Sequence, residues 1–122
     1  MPDRVNHLHL KSPNPEKTMR WYVDYMGARV TEESRSPSGQ VTYRMELHGV
    51  PLTLTGFVEG QALEQHYGFE HIAVDTNDFD ARVARIKAAG IKILEERTMS
   101  DGRRLCFFQG PEGVRLEFIE VR

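Results

Sequence analysis

The stretch Val5-Asn6-His7-Leu8-His9-Leu10 has a counterpart 64 residues later, Phe69-Glu70-His71-Ile72-Ala73-Val74, and this pairing decides the fold. In each, a period-two alternation puts His7 and His9, or His71 and Ala73, on one face of a strand. At the same offset Asn14 falls on Asp78, each suited to capping the helix that follows. An offset of 63 then places Gly27 on Gly90, Glu32-Glu33 on Glu95-Glu96 and Gly39 on Gly102. The offset returns to 64 where Gly49-Val50-Pro51-Leu52-Thr53 meets Gly113-Val114-Arg115-Leu116-Glu117. Few of these matches are identities, but their ordered succession through both halves makes the chain two copies of a unit of about 60 residues.

Each half reads as a strand, a helix and three strands. In the first, strand 5–11 leads to Asn14 as N-cap, Pro15 at the first helical position and Glu16 in the first turn. The helix is expected to run to about Met26 and stop at Gly27, with Thr18, Trp21, Tyr22 and Tyr25 as a core-facing stripe. Ala28–Glu33 starts a second strand and 34–39 is a turn; Gln40–Leu47 and Val50–Thr55 form a hairpin around His48-Gly49. The second half repeats this with strand 69–75, a helix over about 79–89 and strands over about 91–97, 103–109 and 114–121. Its last two strands are joined by Gly110-Pro111-Glu112-Gly113. The expected architecture is α+β: one domain over 1–122 of two βαβββ modules, about 4–58 and 68–121, joined by a connector over 57–68. Side by side, the modules would form a curved mixed sheet around a central cleft.

Composition narrows the function. A chain of 122 residues buries about two thirds of its unfolded surface and needs no staple. Its 16 Lys+Arg and 18 Asp+Glu are interspersed with a net charge of -2, which indicates neither a nucleic-acid nor a membrane-surface partner. No apolar run suits a transmembrane helix, and Met1-Pro2-Asp3-Arg4 does not open like a signal peptide. Cys106, the single cysteine, falls in Leu105-Cys106-Phe107-Phe108 and reads as a buried inert thiol, so the expected compartment is the cytoplasm.

The repeat also marks candidate chemistry. His7 and His71 occupy equivalent places on the first strands, and Thr53 and Glu117 equivalent places on the last. A pseudo-twofold axis would bring these four positions together, and three of them are metal ligands. Two imidazoles and one carboxylate hold a divalent cation while leaving positions open for water or substrate. The same donors accept iron, manganese, nickel, cobalt or zinc. His9 shares the face of His7 and is a candidate acid-base group or hydrogen-bond donor; it could equally cap the cleft rim. His48 and His66 are expected at the surface. Glu46 could face cleft or solvent, and Arg44, Arg103 and Arg104 could grip an anion or simply be solvated strand ends.

In this order and spacing the chain resembles the vicinal oxygen chelate superfamily over roughly residues 4–121. That group contains glyoxalase I, methylmalonyl-CoA epimerase, the fosfomycin-inactivating thiol transferases, the extradiol dioxygenases and the bleomycin-binding resistance proteins. The carriers are Asn6-His7-Leu8, Asn14-Pro15-Glu16-Lys17, Trp21-Tyr22 and Gly27, then Glu70-His71-Ile72-Ala73-Val74, Asp78, Gly90, Gly110-Pro111-Glu112-Gly113 and Arg115-Leu116-Glu117. The resemblance implies that His7, His71 and Glu117 bind one divalent metal ion. It also implies a small substrate that chelates the ion through adjacent oxygens, with Glu117 as ligand and possible base and His9 as helper. Thr53 departs from the pattern, because glyoxalases and epimerases usually place Glu, Gln or His there, and a hydroxyl is a poor ligand and no base near neutral pH. The leading expectation is a metal-dependent glyoxalase-like lyase or isomerase. The alternatives are an Fe(II) ring-cleaving dioxygenase, whose family members usually carry four modules, and a metal-free drug-binding resistance protein. Homodimers are common in the family, some exchanging modules.

Overall fold

The computed structural model describes residues 6–56 and 71–121, and the chain divides by backbone contacts into two compact units, Met1–Leu63 and Glu64–Arg122. The expected connector 57–68, with His66, lies outside the described residues. The first unit contains β1 (Leu8–Lys11), α1 (Pro15–Met26), β2 (Arg29–Arg35), β3 (Val41–Leu47) and β4 (Val50–Thr55). The second contains β5 (Ile72–Thr76), α2 (Phe79–Ala88), β6 (Ile93–Thr98), β7 (Arg104–Gln109) and β8 (Arg115–Glu120). Each unit is thus a βαβββ module with a four-stranded mixed sheet, ordered β1-β4-β3-β2 in the first and β5-β8-β7-β6 in the second. The outer strand is parallel to the last one (β1 to β4, β5 to β8) and the remaining pairs are antiparallel.

The repeat holds at the level of register. Leu8 pairs with Leu52 as Ile72 pairs with Leu116, and His9 with Thr53 as Ala73 with Glu117. Both modules carry a β-bulge at the same place, between Val30 and Glu32 and between Ile93 and Glu95. The glycines that the repeat aligns all adopt positive φ: 73° at Gly27 and Gly90, 88° and 90° at Gly39 and Gly102, 91° and 74° at Gly49 and Gly113. The change of offset has a structural origin. Glu46 pairs with Pro51 and Gln109 with Arg115, and these equivalent pairs enclose four residues in the first hairpin and five in the second. That extra residue restores the offset of 64 after 63 has held through the preceding strands.

Local chemistry explains the elements. Asn14 Oδ1 accepts the Lys17 backbone N–H at 3.1 Å, and Ser12 Oγ accepts that of Asn14, so these two donors at the start of α1 are satisfied by side chains. Asp78 stands at the matching position, but its side chain makes no capping bond; its backbone N–H donates to Thr76 Oγ1 at 3.1 Å. Along α1 the buried residues are Thr18, Tyr22 and Met26, spaced by four, while Trp21 and Tyr25 stack beside them half-buried with ring centres 5.3 Å apart. The buried stripe is therefore rotated toward Met26 relative to the aromatic one expected. The second strand extends to Arg35 rather than ending at Glu33, because Ser34 and Arg35 still pair with Thr42 and Val41 before the Ser36–Gln40 backbone bond closes the turn. His48 is exposed as expected, yet its Nε2 hydrogen-bonds the Met26 carbonyl at 2.8 Å and caps the end of α1.

In the first unit α1 lies on a sheet face of Tyr43, Met45, Leu47, Leu52 and Leu54; in the second, α2 covers Val74, Cys106, Phe108, Leu116 and Phe118. Cys106 is fully buried, as expected, and desolvation pushes its thiol up to about 11. At pH 8 the native chain is therefore expected to resist a thiol-selective disulfide reagent, whereas the denatured chain reacts at once. Rapid labelling of the native protein would contradict this packing. Gly110, which begins the turn into β8, is tightly enclosed: a Cβ there would stand 2.8 Å from Leu116 Cδ1 and 3.3 Å from the Val114 carbonyl. Because Leu116 is itself fully buried, Gly110→Ala is expected to cost about 1–3 kcal/mol in a denaturant titration.

The arginines at the strand ends serve the fold. Arg104 clamps Glu120 at 2.6 Å and Asp80 at 2.8 Å with its guanidinium carbon 4.8 Å from the Phe79 ring centre, tying the start of α2 to β7 and β8. Arg103 pairs with Asp101 at 2.8 Å, Arg44 with Glu32 at 3.4 Å, and Arg29 with Glu46 at 2.7 Å. Arg44, Arg103, Arg104 and Glu46 are thus each engaged by an opposite charge of their own unit.

Candidate metal centre

Strand alternation turns one face of each sheet away from its helix, and the candidate residues stand on that face. In the second unit His71 immediately precedes β5, and Glu117 is the third residue of β8, between Ala73 and Phe107. Glu117 is only 5% exposed, and His71 Nε2 lies 3.2 Å from its Oε1. A buried carboxylate is costly unless it meets an N–H donor or a cation, and His71 stands where it meets that need. Phe107 backs the pair: its ring is buried and meets the His71 ring edge-on, with centres 5.1 Å apart and planes at 87°.

In the first unit His7 Nδ1 is 2.7 Å from Asn6 Oδ1, and the His7 and His9 ring centres are 6.4 Å apart. His9 faces Thr53 across the β1–β4 ladder, and Thr53 faces Arg44, which in turn faces Glu32. His9 Nε2 hydrogen-bonds Thr55 Oγ1 at 2.7 Å. Burial, and next the charge of His7, hold the His9 imidazole below its ordinary value, which favours the neutral ring. Thr53, the counterpart of Glu117, is buried. Thr55, which orients His9, belongs to no motif in the sequence; its one signal is its place two residues beyond Thr53, on the same strand and therefore on the same face.

The donor set suits a divalent cation. Two ligands each about 2.1 Å from one ion stand about 3.0–3.4 Å apart in octahedral or tetrahedral geometry, and the Nε2–Oε1 separation of 3.2 Å falls in that range. Among the described residues neither unit by itself gathers three or more His, Cys, Asp or Glu side chains into a cluster. The second unit supplies two of the three expected donors; the third, His7, belongs to the first.

Two βαβββ modules, the second with an imidazole–carboxylate pair on the sheet face turned from its helix, define the class of this fold. The sequence model of the Glyoxalase/Bleomycin resistance protein/Dioxygenase superfamily matches residues 4–118, and the chain belongs to this family. It is 27% identical over 126 residues to a lactoylglutathione lyase of Neisseria meningitidis serogroup A, covering 98% of this chain and 91% of that protein. It is also 27% identical over 117 residues to the metallothiol transferase FosB of Staphylococcus epidermidis, covering 93% and 80%. Among solved structures, a glyoxalase family protein from Enterococcus faecalis superposes with a TM-score of 0.73 at 22% identity, covering 96% of this chain and 97% of that one. The fosfomycin resistance protein FosX of Listeria monocytogenes, solved with Mn(II) and sulfate, superposes with a TM-score of 0.76 at 17% identity, covering 100% and 95%. Among the described residues no helix is long and apolar enough to cross a membrane.

Proposed function

We propose that the chain is a metal-dependent lyase or isomerase of the glyoxalase type, acting on a small molecule that chelates a divalent cation through adjacent oxygens. The observation that carries this reading is the buried Glu117 carboxylate with His71 Nε2 at 3.2 Å; the likeness to lactoylglutathione lyases supports it. In this reading His7, the repeat counterpart of His71, is the third donor. The cation would act as a Lewis acid toward the chelating oxygens. The chain's own residues do the rest. Glu117 takes or returns the proton at the substrate carbon, and His9, oriented by Thr55, exchanges a proton with the substrate oxygen. Phe107 keeps water from the buried side of the carboxylate. The active form is proposed to be a homodimer in the cytoplasm.

The test is direct. Protein purified without chelator should carry a stoichiometric divalent metal. It should convert the hemithioacetal of methylglyoxal and glutathione to S-lactoylglutathione, lose this activity in EDTA and regain it on adding Mn(II), Ni(II), Co(II) or Zn(II). A metal-free chain whose stability ignores chelator would sink the reading.

Thr53 favours a second reading. With threonine at that position the first unit has no carboxylate counterpart to Glu117, and addition of a thiol to an electrophilic carbon does not call for a symmetrical pair of carboxylate bases. The likeness to FosB and FosX points the same way. Incubating the metal-loaded protein with fosfomycin and a thiol, and weighing the products by mass spectrometry, separates the two: an adduct favours transfer, and its absence with lyase turnover favours the first.

A further inference from the structure

We infer that Asn6 is a positioning residue of the metal centre: its side-chain oxygen holds the His7 ring with the proton on Nδ1, which leaves Nε2 as the atom that binds a cation. The inference deepens the reading above and rests on it for the cation, though not for the orientation of the ring. Asn6 Oδ1 lies 2.7 Å from His7 Nδ1. An amide oxygen only accepts, so the proton of this bond sits on Nδ1, and the neutral ring keeps its lone pair at Nε2. A neutral imidazole without such a partner favours the opposite tautomer, with its proton on Nε2, and a protonated nitrogen cannot ligate. Among the described residues the His7 ring makes this one hydrogen bond. His9, the neighbouring imidazole, has its Nε2 engaged by Thr55 Oγ1 at 2.7 Å. Of the two rings at this end of the sheet, His7 is therefore the one that presents a bare Nε2.

The backbone explains why this bond can form and why it is needed. Side chains of successive strand residues leave opposite faces and do not meet. Asn6 and His7 stand just before β1, whose ladder to β4 starts at the Leu8–Leu52 pair, so no strand pairing holds them apart or in place. His7 is exposed, and the His9 ring stands 6.4 Å from it at a tilt of 51°. A ring so placed turns about two torsions and would lose that freedom on binding a cation; the bond to Asn6 removes it beforehand. His71 is held by packing instead: its ring meets the buried Phe107 ring edge-on at 5.1 Å, and the Arg115 guanidinium carbon lies 4.0 Å from the centre of that same ring. The repeat sets a side-chain oxygen before the histidine in both halves, since Glu70 is the counterpart of Asn6; Glu70 itself lies outside the described residues.

The test follows the imidazole rings of the full chain, labelled with 15N at histidine and held in EDTA at pH 8.5, above the ordinary imidazole range. Two-bond 1H–15N correlations read the tautomer of each ring, and the His7→Gln variant identifies the His7 signals. A protonated Nδ1 and a bare Nε2 are the expected result for the parent. Asn6→Leu, which keeps the shape and removes the acceptor, should return the proton to Nε2 and weaken Mn(II) binding, read by calorimetry, about 10- to 100-fold. Asn6→Asp, which keeps an acceptor in place, should retain the tautomer and bind Mn(II) at least as tightly as the parent. The inference is overturned if the parent ring carries its proton on Nε2, if Asn6→Leu leaves the tautomer unchanged, or if the tautomer switches with no change in affinity. No uptake of Mn(II) by the parent removes the metal-dependent reading instead, and the tautomers of the metal-free parent and of Asn6→Leu still decide whether Asn6 orients the ring.

Discussion

Glu117→Gln is expected to weaken divalent-metal binding by about 100-fold or more while leaving the metal-free fold intact or slightly firmer. The two effects have opposite signs for one physical reason. In the metal-free chain Glu117 is a carboxylate 5% exposed whose neighbour is the His71 ring, and a buried charge carries a desolvation cost that an amide of the same shape escapes. Once a cation is present, that carboxylate is the only anionic donor in the set of His7, His71 and Glu117, and an amide oxygen cannot replace its charge. A 100-fold loss corresponds to about 2.7 kcal/mol. The same quantity appears as thermal stability: a metal at 100 times its Kd stabilises the parent by about 2.7 kcal/mol, and the variant at that concentration by less than about 0.5 kcal/mol. Calorimetric titration with Mn(II) and melting curves with and without metal read both. Unchanged affinity would mean that Glu117 is not a ligand.

Phe118→Ala is expected to cost about 3–5 kcal/mol, a larger loss of stability than that of Gly110→Ala. The Phe118 ring is fully buried, lies 4.8 Å from the equally buried Phe108 ring, and has the Arg82 guanidinium carbon 5.3 Å from its centre. Its deletion opens a cavity between α2 and the strands β7 and β8, whose backbones are held by the sheet ladder and cannot collapse to fill it. Against a total stability of about 5–15 kcal/mol, such a loss removes a large share of what holds the chain folded. Phe118→Leu, which keeps most of the volume, should cost less than half as much. Urea denaturation of the three proteins gives the comparison, and equal midpoints for the parent and Phe118→Ala would refute the packing described.

Much of the fold was legible because its signals are local. Asn14 followed by Pro15 starts α1 where expected, and Gly27 ends it with a left-handed backbone at φ 73°. The paired glycines of the two halves matched because each turn needs a residue free of Cβ strain, so the repeat survives in glycines where other residues have diverged. The equivalence of Thr53 and Glu117 was legible for a related reason: equal spacing from the same turns puts them at equal register, opposite His9 and Ala73. Asp78 shows the limit of such reasoning. It stands at the cap position and keeps the bond of its N–H to Thr76 that Asn14 makes to Ser12, yet its carboxylate makes no capping bond, because which oxygen reaches an N–H depends on a rotamer and not on a residue's place in the chain.

The sequence by itself determined the two βαβββ modules and their strand and helix order, and it singled out the imidazoles of His7 and His71 and the carboxylate of Glu117 as candidates, since alternation, capping and turn residues act over a few positions. Only the tertiary structure decided that Glu117 is buried against His71, that Phe107 supports both His71 and Arg115, and that Arg104 is consumed by Asp80 and Glu120. These contacts join strands through register, and register is set by the β-bulges and hairpin lengths of the assembled sheet. A shift of one residue would turn every one of those side chains to the opposite face, so no short stretch of sequence could contain them.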